Sequence, residues 1–129
     1  MKQFEELLTS LGYGYEHSST EDGLGIFKVI HGERSFIALV FSDEGGEPAF
    51  VRLMFVVDQL NQEDLVSQYE LLLELNRECW MGGFAIDVST STALYVFNFP
   101  LAQFDADALA VAEETFDLSL RLYTDSCKE

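Results

Sequence analysis

A chain of 129 residues with 48% hydrophobic and 23% charged content is long enough for one ordinary domain, expected over residues 1–129, and too apolar to stay disordered. Its acids outnumber its bases 23 to 7, a formal net charge of −16. Residues 1–58 hold 10 acids and 4 bases and the remainder 13 and 3, so the field is spread along the chain. It repels nucleic acid and anionic lipid, favours basic partners, and also keeps a protein soluble.

Residues 2–11 place Phe4, Leu7, Leu8 and Leu11 at helical spacing, with Glu5 and Glu6 in the first turn, where the helix dipole favours anions. Gly12 follows as a stop. Residues 14–23 are polar and read as loop, with room for a short strand at 13–16. Three strands come next, at 24–30, 35–41 and 49–57. They are joined by the turn His31-Gly32-Glu33-Arg34 and by the loop Asp43-Glu44-Gly45-Gly46-Glu47-Pro48. Such short turns make an antiparallel meander.

Asn61 caps a second helix, with Asp64 three residues on and a stripe of Leu65, Tyr69, Leu72 and Leu75. It ends near Asn76-Arg77. Gly82-Gly83 introduces a strand at 84–88, and Ser89-Thr90-Ser91 turns the chain into another at 93–99, which Pro100 ends. Asp105 caps the last helix. Leu109, Ala112, Phe116, Leu120 and Tyr123 form its main stripe, with Glu113, Glu114 and Asp117 off it. The fold class expected is α+β: helix, three strands, helix, two strands, helix, around a mostly antiparallel sheet.

No catalytic constellation emerges. His17 and His31 fall in turn-like segments with no triad companion or metal-ligand spacing. Gly23-Leu24-Gly25 lacks the third glycine of a dinucleotide loop, and Asp43, Glu44 and Glu47 lack EF-hand spacing. Asp105 and Asp107 suit a helix N-terminus. Cys79 and Cys127 form no CxxC pair, and Cys79 reads as a buried thiol beside Trp80. No enzyme activity, cofactor or metal is expected. Lys2-Gln3-Phe4-Glu5-Glu6 lacks the apolar run of a signal peptide, and no run of about 18 apolar residues exists, so the expectation is a cytoplasmic protein without a membrane span.

The run Glu70-Leu71-Leu72-Leu73-Glu74-Leu75-Asn76 leads into Gly82-Gly83-Phe84-Ala85-Ile86-Asp87, then into a strand leaving by Pro100-Leu101 and an acidic-capped helix at 105–123. This order resembles the second half of bacterial type III secretion chaperones and of the related YbjN family of sensory transduction regulators. The likeness spans residues 3–124. It implies a helix–β3–helix–β2–helix fold, a homodimer, no enzymatic activity, and a role in binding a secreted or regulatory polypeptide against apolar patches. Glu78-Cys79-Trp80-Met81 departs from the pattern, being bulkier and more apolar than the usual passage.

The strands themselves point to a surface. Residues 36–41 and 53–57 are apolar at both parities, so both faces of the sheet seek burial. In the run 49–57, Val51, Leu53, Phe55 and Val57 form the more uniformly apolar set and are assigned to the core. Phe50, Arg52, Met54 and Val56 then lie on the outer face as candidate partner-binding residues, with Arg52 reaching water or Glu47 if it merely covers its neighbours. An acidic immunity or inhibitor protein that plugs a basic toxin or nuclease is the alternative function.

Overall fold

The structure, a computed structural model, describes residues 2–20, 22–43 and 45–127; Glu21 and Glu44, assigned above to loops, lie outside the described residues. Its elements run α1 (Lys2–Ser10), β1 (Gly14–Ser19), β2 (Gly25–His31), β3 (Arg34–Ser42), β4 (Pro48–Gln59), α2 (Leu65–Asn76), β5 (Gly83–Asp87), β6 (Thr92–Pro100) and α3 (Ala106–Cys127). The strands make one open antiparallel sheet in the order β1-β2-β3-β4-β6-β5. The α+β class is as expected, with one strand more. The polar stretch Gly14–Ser19 is a full strand, paired with β2 from Gly14↔Ile30 to Ser19↔Gly25. A strand at the sheet's border needs no apolar run of its own, because its ladder partner supplies the order.

Two compact units divide the chain: residues 1–54 with 98–110, and residues 55–97 with 111–129. In the first, α1 buries Phe4 and Leu8. Phe4 meets Phe27 edge-on at 4.8 Å and lies 5.8 Å from Phe104. One parity of β2, β3 and β4 is buried: Phe27 and Val29, then Phe36, Ala38 and Val40, then Val51 and Leu53. Full burial of such side chains is worth about 1.5–3 kcal/mol each before entropy is counted. Helix α1 stops as expected. Gly12 adopts φ +77°, and the N–H of Tyr13 reaches back to the carbonyl of Leu8 at 3.0 Å.

The second unit packs around Phe55, which is fully buried, stacked on Phe116 at 4.6 Å and edge-on to Phe97 at 5.8 Å. Tyr95 meets Phe84 edge-on at 5.0 Å. Helix α2 contributes Leu72 and Leu75; α3 contributes Ala112, Phe116 and Tyr123, whose hydroxyl donates to Asp58 Oδ2 at 2.9 Å. Asn61 caps a short 3-10 turn at Gln62–Asp64, accepting from the Glu63 N–H at 2.9 Å, and α2 begins directly after it. Asn76, the last residue of α2, clasps β5. Its Oδ1 accepts from the Phe84 N–H at 2.6 Å and its Nδ2 donates to the Phe84 carbonyl at 3.0 Å. Glu113, off the apolar stripe by periodicity, is nevertheless buried, since it directly follows Ala112 at the stripe's border.

Candidate binding surface

In the first unit the parity opposite the core presents Ile26 and Lys28 from β2, Ile37, Leu39 and Phe41 from β3, and Phe50, Arg52 and Met54 from β4. The register sets them in rows. Leu39 lies between Ile26 and Arg52, Ile37 lies between Lys28 and Met54, and Phe41 faces Phe50. Phe50 is 54% exposed, and Ile26, Ile37, Leu39, Phe41, Arg52 and Met54 are half-buried against one another. This is an apolar sheet face open to solvent. Three of the four sequence-assigned residues, Phe50, Arg52 and Met54, come together on it. Val56, two residues further along β4, is 62% exposed and belongs to the second unit.

Arg52 is the chemical centre of the face. Its Nε donates to Asn98 Oδ1 at 2.7 Å, and its guanidinium carbon stands 5.2 Å from the centre of the Phe41 ring. The first contact orients the planar group and the second sets its positive charge against a negative ring face. A hollow of about 250 Å³ is lined by Phe41, Phe50, Arg52 and Asn98. The head therefore turns to Asn98 rather than to Glu47, and among the described residues it pairs with no carboxylate. A guanidinium has five N–H donors, and one of them is used by Asn98. What remains can bind carbonyl or carboxylate oxygens of a chain laid across the strands.

The neighbouring strands were not legible as part of this site. Asn98 sits 46 residues from Arg52 in sequence, and only the fold pairs them. The available signal was the apolar character of both parities in residues 36–41.

The other sequence candidates take structural parts. Both histidines lie in strands rather than turns. His17 stacks on Phe27 at 4.3 Å, with Nδ1 3.2 Å from Glu5 Oε1, and His31 stacks on Tyr13 at 4.0 Å. Asp43 Oδ1 accepts from the Gly45 and Glu47 N–H groups at 2.9 and 3.0 Å, which shapes the hairpin loop. Asp105 Oδ1 caps α3 through the Ala108 N–H at 2.9 Å. Cys79 is half-buried instead of buried, and its thiol donates to the Leu75 carbonyl at 3.4 Å. Among the described residues no three His, Cys, Asp or Glu side chains gather as a metal site, and no helix is long and apolar enough to cross a membrane.

The family model described as "YbjN: Putative bacterial sensory transduction regulator" matches residues 2–129, so the chain belongs to that family. A comparison with curated proteins gives no match.

Proposed function

We propose that, as a YbjN family member, this chain is a non-enzymatic regulatory protein of the cytoplasm that acts as one domain and works by binding a partner polypeptide in a chaperone-like manner. The observation that carries the reading is the outer sheet face of the first unit: an open apolar surface around Arg52, a guanidinium without a carboxylate partner among the described residues in a chain of 23 acids and 7 bases. Aromatic residues, Met and Arg are the types enriched where proteins meet.

Size favours a segment over a domain. Three strands about 4.8 Å apart, each offering about five residues at 3.3 Å, cover a few hundred Å². A stable protein–protein interface takes about 800 Å² from each partner. An extended or helical segment is therefore the occupant, with an oxygen acceptor opposite Arg52 and apolar side chains over Met54 and Phe50. A homodimer is also part of the proposal, from the family fold, and it buries more than this face. The −16 field steers a partner of positive overall charge.

Cross-linked capture from the native host tests the reading. Wild type retains a specific polypeptide, whereas Arg52→Ala and Met54→Ala lose it while melting at nearly the wild-type temperature. Equal capture by both variants overturns the site.

A further inference from the structure

Between α2 and β5 the chain is pinned on either side of one residue. The N–H groups of Arg77, Glu78 and Cys79 turn back to the carbonyls of Glu74, Leu75 and Asn76 at 3.2, 3.0 and 3.3 Å. The Tyr95 hydroxyl donates to the Met81 carbonyl at 2.6 Å. Gly82, at φ +70°, lies so close to β6 that a Cβ there would stand 2.8 Å from the Val96 carbonyl oxygen. Within this fixed segment Trp80 is fully exposed and Met81 is 38% exposed. A rigidly presented Trp is a costly surface residue and the type most enriched among energetic hot spots.

Beside Trp80 lies a cleft of about 310 Å³ lined by Cys79, Met81, Tyr95, Thr115, Leu118 and Leu122, among others. On α3, Val111, Thr115, Leu118 and Leu122 follow one another at spacings of four, three and four, the seam spacing of a helix that faces another helix. Val111 is 44% and Leu118 58% exposed. Helix α3 thus carries two apolar stripes: one is buried on Ala112, Phe116 and Tyr123, and the other lies open next to Trp80.

Charge decides what fits. Glu78 lines the cleft, and on α3 Glu114 and Asp125 adjoin the stripe, three residues after Val111 and Leu122 respectively, while Arg77 is 3.5 Å from Glu74. A second copy would set these same acids against each other. We propose that this groove docks a basic amphipathic helix, whose apolar side chains lie between Trp80 and the 111–122 stripe and whose Lys or Arg residues meet the acidic rim. The site is separate from the outer sheet face and does not rest on it.

Trp80 is the only tryptophan, so its emission reports this groove alone. The probes are a synthetic Leu/Lys amphipathic helix, its Leu/Glu counterpart and a Ser/Lys control. The Leu/Lys peptide is expected to shift the emission to the blue in a saturable way, and the other two are not. Leu118→Ser, at an exposed position, weakens that titration at least about tenfold, the loss of one well-placed anchor of about 1.4 kcal/mol, whereas Met54→Ala leaves it unchanged. No shift, an equal shift with Leu/Glu or Ser/Lys, or an unchanged titration with Leu118→Ser overturns the proposal. A shift produced by raising protein concentration alone makes a second copy the occupant and also overturns it.

Discussion

Phe55 and Met54 are neighbours on one strand with opposite fates, and truncating each to alanine measures the difference between the two faces. Phe55 is fully buried, stacked on Phe116 and edge-on to Phe97. Core Phe→Ala changes cost about 3–5 kcal/mol. Two ring pairs, each worth about 0.5–1.5 kcal/mol beyond area, place this one in the upper half. At about 2.1 cal/mol/K of unfolding entropy per residue, 129 residues give roughly 0.27 kcal/mol/K, so a loss near 4 kcal/mol lowers Tm by about 15 °C. Met54 is only half-buried, opposite Ile37, and its truncation is expected to cost less than about 1 kcal/mol, or about 3–4 °C. Calorimetric melts of the two variants under one buffer decide. If Met54→Ala falls as far as Phe55→Ala, both faces are core and no open surface surrounds Arg52.

Asn76→Ala removes both bonds to Phe84 and leaves that backbone pair without its partner, which is expected to cost about 1–3 kcal/mol by urea titration. Gly82→Ala combines a left-handed backbone with a Cβ only 2.8 Å from the Val96 carbonyl oxygen and is expected to lose about 2–4 kcal/mol, read as a lower midpoint in the same titration. Burial pushes the Tyr95 hydroxyl up to about 12, and burial with the neighbouring Cys127 and Asp58 raises Tyr123 as well. Unfolded tyrosines release their protons near pH 10. Both groups therefore favour the fold fully below about pH 10, and stability declines as pH rises from there toward the folded values. Melts between pH 9 and 12 are expected to show that decline, shallower in Tyr123→Phe.

Much of the fold was legible because periodicity and punctuation agreed. Gly12, Asn61, Pro100 and Asp105 each stand where an element starts or stops, and the alternation of Val51, Leu53 and Phe55 marked the buried parity of β4. What sequence missed was held by long-range partners. The polar β1 is a strand because β2 pairs with it, and His17 lies there because its ring covers Phe27. The exposure of Trp80 has no local signature, since a Trp beside a Cys and a Met reads as core until Gly82 and Tyr95 fix where the backbone goes. Arg52 was placed on the correct parity, but Asn98, which holds it, comes from β6.

The clasp at Asn76 also bears on self-assembly. β5 stands last in the strand order, where a sheet can accept further chains and grow into an aggregate. An amide side chain carries the same donor and acceptor as a peptide group, so Asn76 acts as a one-residue imitation of a missing seventh strand. With the N–H and carbonyl of Phe84 taken, an intruding segment must displace an ordered helix end before it can pair in register. At the other end of the order, β1 guards its border differently, with Glu16 and His17 on a strand that offers little apolar reward. At Phe84, then, what the border of the sheet offers a neighbouring chain is side chain and not free backbone.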